Sequence, residues 1–132
     1  MTVLRRALGV GALLLLLLSV PLIVAPRTMV EDLLGQTPVG DDVWIRLLGA
    51  GCLALGLFHV LIIRRLEDLW WWCWAFVVFD ASVAVISLSH AAVGMPEGSA
   101  AWPWWLIGST AAVFTALYLI GLARAGREKP LA

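Results

Sequence analysis

Read along the chain, hydrophobic and polar positions fall into long blocks rather than a short alternation. Four apolar runs, over residues 7–25, 43–63, 69–93 and 102–123, are separated by short polar stretches. Each run reaches the roughly 17–25 residues that an α-helix needs to cross about 30 Å of hydrocarbon. No alternating pattern of about ten residues, the mark of a membrane barrel strand, accompanies them. The pattern predicts an all-α membrane protein, a four-transmembrane-helix bundle with helices at about 7–25, 43–63, 69–90 and 102–123. A single integral membrane domain over 1–132 is expected, with 124–132 as a cytoplasmic tail. The first run begins after Arg5 and Arg6, as a secretory signal would. Its apolar length exceeds a signal core and Pro26 follows Ala25, so a retained helix is expected.

The polar links refine this outline. In TMVEDLLG, residues 28–35, Thr28 and Glu31 have capping-box spacing and Gly35 is a natural stop. Met29, Val30, Leu33 and Leu34 would share one face, predicting a short interfacial helix in the first external loop. Asp41 or Asp42 would cap the second helix. The link RRLED is so short that the second and third helices should be antiparallel neighbours. Pro103 suits the first turn of the fourth helix.

Composition agrees with a lipid solvent. The chain of 132 residues is 62% hydrophobic and 14% charged, against about 25% charged in an ordinary soluble domain. The formal net charge is zero, which offers no bulk attraction to nucleic acid. The positions of the charges carry more information. Arg5, Arg6, Arg64, Arg65, Arg124, Arg127 and Lys129 cluster at one set of helix ends, while the opposite loops hold Arg27 with Glu31, Asp32, Asp41, Asp42 and Glu97. Lys and Arg are retained on the cytoplasmic side, so both the N and C termini are expected in the cytoplasm.

All eight tryptophans lie near predicted helix starts, at 44, 70, 71, 72, 74, 102, 104 and 105. An aromatic belt at the headgroup level is the expected arrangement. A cation cage would need rings converging from different helices, and the consecutive residues of WWWCW fan around one helix. Small residues mark the faces that pack. The second helix carries Gly49, Cys52, Gly56 and His59 at 3-4-3 spacing, and the fourth carries Gly108, Ala112 and Ala116. In lipid such seams let backbones approach.

The residue that stands apart is Asp80, inside the apolar stretch FVVFDASVAVISL. At about 1.5 Å per residue from Leu69 it lies roughly 16 Å deep, near the bilayer midplane. An aspartate there costs about 2.5–3.5 kcal/mol on insertion scales, so it should face the bundle interior and find a partner. Cys73, Ala84 and Ser87 would share its face. Ser19, Cys52, Ser109 and Thr115 lie near its level, and Arg46 is the charged candidate. A neutral or hydroxyl-satisfied Asp80 ranks ahead of an Arg46–Asp80 pair. The candidate intramembrane polar site is therefore Asp80, Arg46, His59 and Ser109.

Other chemistry finds little support. Cys52 is expected near mid-membrane and Cys73 near the cytoplasmic end of its helix, too far apart in depth for a disulfide. His59 and His90 sit near opposite faces, so no shared haem is expected, and no three or four ligands gather for a metal. No cofactor and no catalytic constellation is expected. The leading expectation is a non-enzymatic accessory or structural component of the bacterial cytoplasmic (inner) membrane, whose partners are the lipid bilayer and either further copies of itself in a homo-oligomer or a larger membrane partner. The first alternative is a proton- or cation-coupled small transporter acting as a homo-oligomer. The second is a lipid- or isoprenoid-modifying membrane enzyme using Asp80 and His59 as acid and base.

Overall fold

A computed structural model describes residues 1–128, and every described element is helical. Four helical segments are long and apolar enough to cross a membrane: Thr2–Val24, Val43–Arg64, Leu66–Val93 and Trp102–Glu128. The third is built in three parts. After Arg65 the chain forms α3 (Leu66–Leu69), tightens to a 3₁₀ turn over Trp70–Trp72, and continues as α4 (Cys73–Val93). The others are α1 (Thr2–Val24), α2 (Val43–Arg64) and α5 (Trp102–Glu128). Leu13, Leu17, Val20, Leu57, Val78, Val85, Ile86 and Val113 project outward from these helices. Such a girdle suits hydrocarbon surroundings and would be a liability in water.

Two helix ends extend beyond the boundaries set by hydropathy, for one physical reason. Leu4 and Leu8, one turn apart near the start of α1, are both fully buried. Leu4 lies against Gly121 of α5, where an added Cβ would fall 3.0 Å from its Cδ1. Packing thus holds α1 helical from Thr2 rather than from residue 7. It also draws α5 on past residue 123, since Ala125 is fully buried and Glu128 meets the N-terminal ammonium at 3.2 Å. The expected tail is helical through Glu128, and residues 129–132 lie outside the described residues.

The helices pair as two antiparallel hairpins, α1 with α2 and α4 with α5, joined mainly along α1 and α5. The short RRLED link does turn the chain back, but α2 and α4 meet chiefly through aromatic side chains near that turn. Phe58 lies edge-on to Trp72 and to Phe76. Close helix pairing follows the glycines instead. A Cβ on Gly49 would fall 2.8–3.1 Å from Leu22 and Ile23, and one on Gly56 would fall 2.8 Å from Leu16, so α2 seats directly on α1. Gly108 does the same for α5 against Leu88 of α4.

The seam expected on α2 is seen whole, with Gly49, Cys52, Gly56 and His59 all buried. That expected on α5 is corrected. Gly108 is buried but Ala112 and Ala116 are exposed, and the inward line runs through Ala111, Tyr118, Leu122 and Ala125. Two four-residue steps rotate a position by about 80° around a helix, which carries Ala116 off the packed face.

The contiguous core lies at the end of the bundle that bears the paired arginines. Leu4, Leu8, Ile62, Leu66, Trp70, Cys73, Phe76, Tyr118 and Leu122 form it. Of the tryptophans, Trp70 enters this core, while Trp44, Trp71, Trp72, Trp74, Trp102 and Trp105 point outward near helix starts. Trp71 and Trp72 stack on each other at 4.7 Å.

At the opposite end the loops lock the hairpins together. The Gln36 amide nitrogen donates to the carbonyls of Leu34 and Ala100, each at 2.9 Å, and its oxygen accepts from Trp104 Nε1 at 2.9 Å. Ala100 N–H donates to Gly35 O at 2.8 Å. Gly35 holds φ +60°, with Ala100 so near that an added Cβ would fall 3.1 Å from its methyl. That backbone angle favours glycine. The expected short helix of this loop is a π-helical turn, Thr28–Leu33. Its capping box does not form, because Glu31 accepts from Val39 N–H at 2.9 Å instead. Of the aspartates before α2, Asp42 stands at the N-cap without a side-chain cap bond, and Asp41 accepts from Val43 N–H at 3.0 Å.

Candidate functional site

The polar centre of the bundle is a histidine–tyrosine pair. His59 comes from the inward seam of α2 and Tyr118 from the inward line of α5; they are 3% and 0% exposed. His59 Nδ1 lies 2.8 Å from the Leu55 carbonyl, which can only accept, so Nδ1 carries the ring proton. Nε2 of the neutral ring is then an acceptor, and Tyr118 donates its hydroxyl proton to it across 3.0 Å. Phe76 of α4 stacks on the imidazole with centroids 3.8 Å apart and planes 28° from parallel.

Gly11 of α1 completes the enclosure. A Cβ built there would fall 2.8 Å from the Tyr118 oxygen and 3.2 Å from His59 Nε2. Only a residue without a side chain lets α1 lie over the hydrogen bond. All four membrane-length segments thus meet at this pair. A buried neutral pair of this kind stabilises by about 0.5–1.5 kcal/mol net, whereas orphaning one partner costs about 1–3 kcal/mol.

Asp80 lies one helical turn beyond Phe76 along α4 and shares the inward face with the buried Cys73, Phe76, Val77, Ala84 and Ser87. It is nevertheless only partly buried. Among the described residues it makes no hydrogen bond and no ion pair. The hydroxyls near its level are engaged locally: Ser19 donates to Leu16 O at 2.7 Å and Thr115 to Ala111 O at 2.9 Å.

The four candidate residues are not brought together as one cluster. His59 lies in the core, and Asp80 is a helical turn from the ring that stacks on it. Ser109 is exposed, on the outward side of α5. Arg46 turns to the loop end of α1, where one guanidinium nitrogen donates to the Ile23 carbonyl and the other meets Asp42 at 3.1 Å. It therefore pairs with Asp42, four residues earlier at the N-cap of its helix, and not with Asp80. Both cysteines are buried and free. His90 meets the edge of Trp104 near the loop end, far along the bundle from His59. No group of three His, Cys, Asp or Glu suited to a metal occurs among the described residues.

Tyr118 and Gly11 escaped the sequence reading, though a signal for the tyrosine exists. Tyr118 is the sole tyrosine, and it follows the first residue of α5 by the interval that separates His59 from the first residue of α2. Both helices enter from the same side, so both rings fall about 24 Å along their axes. Gly11 carries no comparable mark, since several glycines of the chain, Gly9 and Gly51 among them, face open space. Comparison of the chain with protein-family models, with curated proteins and with solved structures finds no match.

Proposed function

We propose that this chain is a non-enzymatic accessory or structural component of the bacterial cytoplasmic membrane, working by assembly with another membrane-embedded chain. The observation that carries the reading is Asp80, a carboxyl midway along an apolar span, partly exposed and without a hydrogen-bond or ion-pair partner among the described residues. A carboxylate at such a depth costs about 2.5–3.5 kcal/mol on insertion, and a donor from a neighbouring chain would offset that cost. The His59–Tyr118 pair, closed over by Gly11 and Phe76, acts in this reading as the structural keystone of the bundle. The distribution of arginines supports cytoplasmic termini. Partly buried Met29, Val30 and Leu34 beside exposed Leu33 suit a segment lying at the outer interface.

The test is the size of the particle extracted from its native membrane in mild detergent. The wild-type chain should run as an assembly larger than one copy. Asp80→Leu should run as a folded single chain, and Asp80→Asn, which keeps most hydrogen-bonding capacity, should retain the assembly. A wild-type particle of one chain would refute the reading.

A proton- or cation-coupled transporter acting as a homo-oligomer is the second reading, favoured by one observation. Asp80 lies one helical turn from Phe76, which stacks on His59, and His59 is bonded to Tyr118, so three protonatable side chains are gathered in one region of the bundle. Under this reading Asp80→Asn assembles normally yet abolishes pH-driven flux in proteoliposomes.

A further inference from the structure

We propose that the groove between α1 and α5 binds one acyl chain of an anionic phospholipid, with the lipid phosphate held by the Arg6 guanidinium. Val3, Arg6, Ala7 and Val10 recur at the spacing that lines one face of a helix, and Phe114 and Leu117 of α5 form the opposite wall. The space enclosed is about 230 Å³ and opens to the side of the bundle. Ala7 is a buried floor of only a methyl group, while Val10 at the rim is half exposed. Of the six lining side chains only Arg6 is charged.

The position of that charge identifies the occupant. Side chains on a helix lean toward its N-terminus, so the stem of Arg6 runs along the groove toward Val3 and the end that bears the arginines. Long basic side chains lay their methylenes on apolar surface and deliver the charge to the headgroup level. Arg6 takes part in no ion pair among the described residues; the two ion pairs seen there are Met1–Glu128 and Arg46–Asp42. An apolar trough along a membrane span, ending at an uncompensated guanidinium, complements a molecule with a hydrocarbon chain and a phosphate. Basic pockets between transmembrane helices recognise anionic headgroups by this combination.

The experiment is native mass spectrometry of the full chain released from nanodiscs of equal parts phosphatidylglycerol and phosphatidylcholine. The wild-type chain should retain one phosphatidylglycerol in preference to phosphatidylcholine. Arg6→Gln should lower that retention about fivefold, the factor set by one near-surface arginine. Arg5→Gln removes the same charge next door, from an exposed residue that does not line the groove, and should leave retention nearly unchanged. Val10→Phe should lower retention by filling the groove at unchanged charge, and its thermal transition should match that of the wild type because Val10 lies outside the core. Equal losses for Arg5→Gln and Arg6→Gln would show a diffuse basic surface and overturn the proposal. So would undiminished retention in Val10→Phe, competition by glycerol phosphate as strong as by the long-chain lipid, or a second copy of the chain bound in place of lipid.

Discussion

Gly11→Ala is the most revealing single change, because one methyl group tests whether α1 closes over the His59–Tyr118 bond. In a helix alanine is favoured over glycine by about 1 kcal/mol, so at an open site the change stabilises. At Gly11 the new Cβ would lie 2.8 Å from the Tyr118 oxygen, well inside contact. Overpacking of this kind costs about 1–3 kcal/mol. If the ring swings away, the orphaned His59 Nε2 adds about 1–3 kcal/mol. With both costs set against the propensity gain, the net is a destabilisation of about 1–5 kcal/mol. The diagnostic is a double-mutant cycle with Tyr118→Phe, which removes the oxygen that the methyl would strike. Gly11→Ala should cost at least about 1 kcal/mol less in the Tyr118→Phe background, within the range of couplings between touching residues. The assay is reversible unfolding in detergent micelles by denaturant titration, followed by circular dichroism. Gly9→Ala, where nothing lies within 4 Å of the added Cβ, serves as the control and should be neutral or stabilising. Equal costs for Gly11→Ala in both backgrounds would refute the enclosure of the pair.

Other substitutions separate the remaining contacts. Gly49→Ala should destabilise by about 1–3 kcal/mol, because its Cβ meets Leu22 and the Ile23 backbone, while Gly51→Ala meets nothing and should not; the same titration compares them. Gln36→Ala removes the bonds to Leu34, Ala100 and Trp104 and should cost about 1.5–4.5 kcal/mol, at roughly 0.5–1.5 kcal/mol for each bond. It should also speed hydrogen exchange at the Ala100 amide. Gly40→Cys, exposed and free of near neighbours, should react with an impermeant thiol reagent in intact cells. Labelling only after lysis would reverse the proposed orientation.

The residue pattern determined the helices and, on α2, the packed face. Lipid removes any hydrophobic preference between apolar surfaces, so helices meet where small residues allow, and the 3-4-3 run of Gly49, Cys52, Gly56 and His59 is readable as it stands. The burial of Cys73, Ala84 and Ser87 beside Asp80 follows from helical geometry in the same way. Which helix each face meets was decided by the tertiary structure. A short link suggested α2 against α4, yet glycine contacts seat α2 on α1 and α5 on α4, because backbone approach outweighs nearness in the chain. Arg46 shows a similar competition at closer range. Asp42, one turn away at the N-cap of the same helix, and the Ile23 carbonyl at the end of α1 hold its guanidinium without the desolvation that a midplane partner demands. The His59–Tyr118 bond depends on three helices arriving at one depth and on a fourth whose glycine leaves room above it. Equal depth is present in the sequence as an interval. The rotation that turns both rings toward each other arises only once the hairpins have packed.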